Sequence, residues 1–400
     1  MRNNNTKPVL RFPEFKEDWN FFYGNEQFEP ISNKNHNSDL PILAISQEFG
    51  AVPRDLINYQ ISVTDKSVSS YKVVEKGDFI ISLRSFQGGI EYSEYKGICS
   101  PAYIILRPKR EIQDYFFKYY LKTYRYIQHL QSKLEGIRDG KMISFKYFSE
   151  IKLPFPSLIE QKKIADFLIQ IDNRITQLSE KKEYLELYKK GITQKIFSQK
   201  LRFKDENGKD FPDWETKKLK DVFLRKSIKN KGSLIKNVLT NSATRGIILQ
   251  GDYFDKDIAN QNNLEGYYIV DVNDFVYNPR ISVSAPVGPL KRNHLVKGVM
   301  SPLYTVLKPK IGELSFYEHY FQTSFWYKYM RGVANYGVRH DRMNITNDDF
   351  EKLPLPFPLI KEQEKIASFL NEISQQISFI SEQLEETRKF KKGLLQNMFI

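Results

Sequence analysis

The sequence predicts an α+β protein in which two pseudo-repeated α/β globular domains are separated by two long antiparallel coiled-coil helices. Three observations carry that prediction. Leu153-Pro-Phe-Pro156 leads through Glu160-Gln161 and Lys163-Ile-Ala165 into Phe167-Leu168, and Leu355-Pro-Phe-Pro358 leads through Glu362-Gln363 and Lys365-Ile-Ala367 into Phe369-Leu370. After each lead, apolar residues recur at alternating steps of three and four, the mark of a coiled-coil seam. Ahead of each lead, short β-rich runs broken by turn signals precede an aromatic helix. The boundaries that follow are 1–155 and 200–357 for the globular domains, and 156–199 and 358–400 for the helices.

Taken in order, each element has its counterpart about 200 residues on. Leu10-Arg-Phe-Pro-Glu-Phe-Lys-Glu-Asp-Trp19 is echoed by Leu201-Arg-Phe203 and Asp210-Phe-Pro-Asp-Trp214. Tyr71 to Ser82, containing the turn Lys76-Gly77-Asp78, returns as Tyr267 to Asn278, with Asn273 in place of the turn glycine. Strands are expected at Lys72–Val74, Phe79–Leu83 and Ala102–Leu106, with Gln87-Gly88-Gly89 as a further turn. Ser100-Pro101 and Ser301-Pro302 stand at matching places. One helix is expected from about Ile112 to Leu134, matched by Leu314 to about Arg331. Polar loops follow, Gly136 to Ser144 and Gly337 to Ile345. The offset between copies drifts from 195 at Trp19 and Trp214 to 202 at Gln161 and Gln363. Loops of different length on one shared framework explain the drift.

The long helices start sharply. Proline forbids helix upstream, because the residue before it is pushed to extended geometry. Ser157-Leu-Ile-Glu160 reads as a capping box, whereas the second copy has Leu359 in place of the serine. About forty residues without proline then give roughly 60 Å of helix. The seam in the first copy is Ile164, Leu168, Ile171, Ile175, Leu178, Leu185, Ile192 and Ile196; in the second it is Ile366, Leu370, Ile373, Ile377, Ile380, Leu384, Leu394 and Met398. Glu and Lys fill the other positions, so each stripe is narrow, and the obvious cover for one stripe is the other. Residues 200–209 form a polar, turn-prone linker.

Charge narrows the function. A net charge of +13 and a pI near 9.3 favour polyanions as partners. A single cysteine, Cys99, excludes a disulfide framework and fits a reducing cytoplasm. No apolar leader or membrane-length apolar window is present, so neither secretion nor membrane spanning is expected. Phosphate-cradling and Rossmann glycine patterns are missing. His36, His129, His294, His319 and His340 lack metal-ligand spacing. Tyr277-Asn-Pro-Arg280 falls short of an amino-methyltransferase motif, and Asp213 with Glu215 and Lys217 falls short of a nuclease one. The chain is expected to do no chemistry by itself and to need no cofactor.

With these blocks laid out, the chain resembles the specificity (S) subunits of type I restriction–modification enzymes. The resemblance covers nearly the whole length and rests on an ordered set present twice. Its parts are the Arg-Phe-Pro…Trp opening, the Gly77-Asp78-Phe79 block, Ser100-Pro101, Met142, and the Pro-x-Pro…Glu-Gln…Ile-Ala lead. It implies two target recognition domains, each reading one half of a split DNA sequence. It also implies helices that set the spacer and dock two modification subunits. Double-stranded DNA, those methyltransferase subunits and the restriction (motor and nuclease) subunits would be the partners in a bacterial cytoplasm, with S-adenosylmethionine, ATP and Mg on the partner subunits. The alternative is a coiled-coil scaffold joining two protein-binding modules without DNA specificity.

Arginine to guanine is the commonest base contact, and lysines and hydroxyls mostly hold phosphate. Arg84 and Arg280 follow matching strands, and Arg138 and Arg339 lie in the matching polar loops, with Lys141 and Arg342 three residues on. Half-site discrimination should come from positions that differ between the copies: Ser85, Phe86 and Gln87 against Ser282, Val283 and Ser284, and Asp139 against His340. Lys181, Lys182, Lys189 and Lys190 either follow phosphates or solvate their helix face.

Overall fold

In a computed structural model, residues 6–37, 39–57, 68–132, 143–252, 264–335 and 341–400 are described. The chain forms two compact units, Met1–Glu180 with Ser381–Ile400, and Lys181–Ile380. The first unit holds a four-stranded antiparallel sheet in the order Phe28–Ile31, Ile104–Pro108, Phe79–Ile81, Glu91–Tyr92. The second repeats it as Phe223–Lys226, Thr305–Pro309, Phe275–Tyr277, Leu290–Arg292. Register repeats too: Phe79 faces Leu106 and Phe275 faces Leu307. Among the described residues each unit adds three two-stranded ladders, one of which pairs the Pro-x-Pro strand with the strand after the tryptophan, Lys152–Phe155 with Asn20–Tyr23 and Pro354–Phe357 with Glu215–Lys218.

Turn chemistry explains why the strands stop where they do. Gly77 has φ +98° and Asn273 φ +73°, the left-handed conformation that glycine adopts freely and asparagine tolerates. In both turns the next carboxylate closes the loop, Asp78 Oδ2 accepting from Glu75 N and Asp274 Oδ2 from Asp271 N, each at 2.8 Å. A cation from the sheet then neutralises it. Arg107 grips Asp78 with two bonds of 2.8 Å, and Lys226 holds Asp274 at 2.8 Å.

The aromatic helix expected from Ile112 to Leu134 is two helices, Asp114–Tyr120 and Tyr124–Ser132. Thr123 makes the break: its hydroxyl donates to Tyr120 O and accepts from Tyr126 N, starting a new helix rather than continuing the old one. The second unit breaks alike, between Leu314–Tyr320 and Tyr327–Val333.

The long helices are Leu158–Phe197 and Ile360–Asn397. Every expected seam residue is buried or half-buried. Within the first unit, Ile164, Leu168 and Ile171 share a core with Leu394, Met398 and Phe399, and Lys391 Nζ meets Asp172 Oδ1 at 2.5 Å. Within the second, Ile366, Leu370 and Ile373 share a core with Ile196 and Phe197. In each unit the start of one helix lies beside the end of the other, an antiparallel pairing. Phe399 packs 5.2 Å from Phe116, and Phe197 packs 5.2 Å from Phe316. Each buried ring contributes about 1.5–3 kcal/mol.

The capping box is half formed. Ser157 Oγ accepts from Glu160 N at 3.3 Å. The Glu160 carboxylate faces elsewhere, accepting Arg11 Nε and Nη2 at 2.7 and 2.8 Å and Trp19 Nε1 at 3.1 Å. Glu362 does the same with Arg202 at 3.2 and 2.9 Å and Trp214 at 3.0 Å. The neighbouring glutamines complete the latch. Gln161 Oε1 accepts from Gln113 N while its amide donates to Pro156 O, and Gln363 does so with Glu313 N and Pro358 O. The repeated Glu-Gln therefore locks each helix start to the Arg-Phe…Trp segment and to the start of the aromatic helix.

Candidate nucleic-acid interface

The loops after strands Phe79–Ile81 and Phe275–Tyr277 occupy equivalent places and have different shapes. In the first unit Ser85–Gly88 is one helical turn. Ser85 is 0% exposed, its hydroxyl accepting from Ser82 N at 2.8 Å, so it shapes the turn and faces no solvent. Arg84 and Gln87 are exposed, and Phe86 packs against the core. Gln47 donates to Arg84 O and Gln131 to Phe86 O, fixing the turn from two sides. Behind it the buried Glu91 pairs with the partly exposed Lys122; burial raises the carboxyl pKa and lowers that of the amine.

In the second unit the loop is a small hairpin. Ser282 and Ala285 exchange backbone hydrogen bonds of 3.1 Å, which leaves Ser282, Val283 and Ser284 exposed. Asn278 is committed to the scaffold: its amide donates to Asn241 O, and its oxygen accepts from Arg280 N, both at 3.0 Å. This structural role gives the Asn of the Asn-Pro pair a place in the scaffold. Both loops return through a glycine with no room for a side chain. A Cβ on Gly89 would lie 2.1 Å from Leu121 O, and one on Gly288 would lie 2.1 Å from Asn278 O.

Arg280 and Arg342 are brought together as partners in an antiparallel bridge. They line a cleft of about 450 Å³ with Thr240, Ser282, Ser301 and Tyr304. The cleft thus offers guanidinium and hydroxyl donors on one surface, which suits phosphate oxygens and base edges. Arg138, Lys141, Arg339 and His340 lie outside the described residues, as does Asp139. The other walls of the cleft, Thr240 and Tyr304 above all, were not among the sequence candidates. The repeated Ser-Pro block next to Tyr103 and Tyr304 was the available signal.

On the first long helix Lys181 and Lys190 are exposed, and Lys182 sits 3.9 Å from Glu186. Lys189 is half-buried, and burial lowers its pKa despite Glu318 nearby. This helix also exposes Tyr184, Leu187 and Tyr188 on neighbouring turns. Cys99 is an inert core thiol, its pKa pushed up to about 12 by burial. Among the described residues no three His, Cys, Asp or Glu side chains group to hold a metal, and no helix is long and apolar enough to cross a membrane.

Comparison with known proteins agrees with this duplicated layout. The type I restriction modification DNA specificity domain matches residues 17–187 and again 212–388. The chain is 25% identical over 411 residues to a putative type I restriction enzyme MjaX specificity subunit from Methanocaldococcus jannaschii, covering 96% of this chain and 93% of that one. It is 24% identical over 358 residues to the MjaVIII specificity subunit of the same organism, covering 84% and 80%. Among solved structures, the type I restriction–modification S subunit from M. genitalium superposes with a TM-score of 0.54 at 14% identity, covering 98% of this chain and 99% of that one. A chain from a study of complex assembly and conformational transition of the type I R-M system gives 0.52 at 16%, covering 96% and 98%.

Proposed function

The chain belongs to the type I restriction–modification DNA specificity family, as a specificity subunit with two target recognition domains, and from that premise we propose how its parts divide the work. Residues 1–155 and 200–357 each read one half of an asymmetric, bipartite target. The long helices set the spacing between the halves and dock two modification subunits. The observation that carries this reading is one framework built twice, the same latch and sheet in each unit, carrying reading loops of different shape. Identical subunits read palindromes; two unlike loops on one framework call for two unlike half-sites.

The rest of the division follows. Arg84, Gln87, Arg280, Ser282 and Arg342 face the duplex, Ser85 holds its loop, and Arg138, Lys141, Arg339 and His340, named from the sequence alone, are further DNA-contact candidates. Adenine methylation with S-adenosylmethionine, and cleavage driven by ATP with Mg, reside on the modification and restriction subunits, in the cytoplasm. The exposed Tyr184, Leu187 and Tyr188 suit a helix of a modification subunit laid alongside. Mapping methylated adenines in a host genome, with and without this chain beside its modification subunit, tests the reading. A new bipartite motif that depends on the chain is expected; an unchanged methylation map refutes it.

A further inference from the structure

The second unit holds a carboxylate where the first has Gly140, counted back from the matching Met142 and Met343. Asp341 Oδ2 lies 3.8 Å from Arg280 Nη2 and 3.8 Å from Arg342 Nε. Both separations exceed hydrogen-bond length, so neither guanidinium spends a donor on the carboxylate. Among the described residues neither guanidinium makes a hydrogen bond, and the carboxylate accepts none. The backbone beneath is fixed: Ile281 N donates to Asp341 O at 3.0 Å, and Met343 N donates to Pro279 O at 2.8 Å. The side chains of Arg280 and Asp341 remain 65% and 53% exposed. The geometry is a rigid bridge presenting open donors and an open acceptor side by side.

A carboxylate is misplaced in a site built only for phosphate, because it repels the very charge the arginines attract. It fits a base pair. In the major groove guanine offers O6 and N7 as acceptors and its cytosine offers the N4 amine as a donor. We infer that Asp341, together with Arg280 and Arg342, reads a G·C pair in the half-site of the second unit, the arginines donating to guanine and Asp341 accepting from cytosine N4. This rests on the DNA-recognition reading above. The lack of a carboxylate at the matching place in the first unit agrees with two half-sites of different sequence.

The test uses the complex reconstituted with its modification subunits. Methylated adenines are mapped for wild type, Asp341→Asn, Asp341→Ala and Arg280→Ala, and binding is measured on duplexes varied at each base pair of the second half-site. Asp341→Ala is expected to lose about 10- to 100-fold of discrimination at one G·C pair and Asp341→Asn, which keeps an acceptor oxygen but loses the charge, a smaller part of it, with the first half-site unchanged as the internal sign of an assembled complex. Arg280→Ala should relax the same pair. The inference is overturned if the Asp341 variants keep the wild-type motif while binding all sequences more tightly, which would make Asp341 only a charge brake beside phosphate. It is equally overturned if the pair affected is A·T, or if binding falls alike at every sequence. A wild-type complex that yields no bipartite motif overturns the underlying DNA reading instead, and the inference with it.

Discussion

Glu160 is the place to break the first unit without touching the second. Its side chain is 2% exposed and accepts three hydrogen bonds, two from Arg11 and one from Trp19. Glu160→Ala leaves a guanidinium that is itself only 11% exposed without its counter-charge. Stranding one member of a buried pair costs about 3–5 kcal/mol. The lower end applies here, because Arg11 lies on a surface segment that can swing toward water. About 3 kcal/mol corresponds to roughly 150-fold faster amide exchange wherever opening of that unit controls exchange. Peptides covering residues 161–175 report on the first unit, and those covering 363–377 report on the second in the same sample. Only the first set should accelerate. Adding Arg11→Met to Glu160→Ala removes the stranded charge and should recover most of the loss, leaving about 1 kcal/mol for the unpaired Trp19 N–H. Acceleration below tenfold, or a double variant as unstable as the summed single ones, would refute the latch.

Other outcomes follow from the same geometry. Arg84→Ala should weaken DNA binding by the assembled complex by about 1–3 kcal/mol if its guanidinium meets a base; unchanged affinity and an unchanged methylation map would remove it from the interface. Gly288→Ala pushes a Cβ into Asn278 O and should degrade the second half-site in the methylation map while the first persists. His319 is buried, and burial beside Lys189 lowers its pKa from 6.5 to about 4, with Asn371 and Glu318 opposing. The unfolded chain therefore takes up this proton first as pH falls. The second unit should keep its stability above about pH 6.5 and lose up to about 3 kcal/mol on the way to pH 4. Exchange measured along that range should show the loss for wild type and a flatter course for His319→Gln. The first unit, with Tyr119 at the equivalent position, should lack this contribution.

Much of the fold could be read from the sequence because its signals are local and repeated. The seam spacing, the proline stops and the asparagine standing in for a turn glycine all act within a few residues. The exceptions arose where a distant partner intervened. Glu160 has the letters of a capping box, yet Arg11 and Trp19 outbid the local amide because a buried guanidinium needs its carboxylate more. The aromatic helix reads as continuous because Thr123 is an acceptable helix residue until its hydroxyl is needed as a cap. In the cleft, Arg280 and Arg342 are recognisable from the sequence as loop arginines, but their pairing across two segments is not. The same holds for Asp341, whose meaning lies in two arginines, one of them 61 positions away in the chain. Ser85 lies in a loop whose sequence differs between the copies, and difference alone does not show that a side chain faces outward.

The spacer role rests on where the first long helix is anchored. Its buried residues lie at Glu160 to Leu178 and again at Thr193 to Phe197, and none between 179 and 192 is fully buried. Four residues inserted between Glu180 and Lys190 therefore displace no core side chain of either unit. They add about 6 Å of helix at 1.5 Å per residue, which is at most about two base-pair steps of 3.4 Å. Each reading loop keeps its own latch and sheet, so the expected methylation map shows the same two half-sites around a spacer longer by one or two base pairs. If the half-sites themselves change while the spacer stays fixed, the helices are not the ruler, and spacing must come from the modification subunits instead.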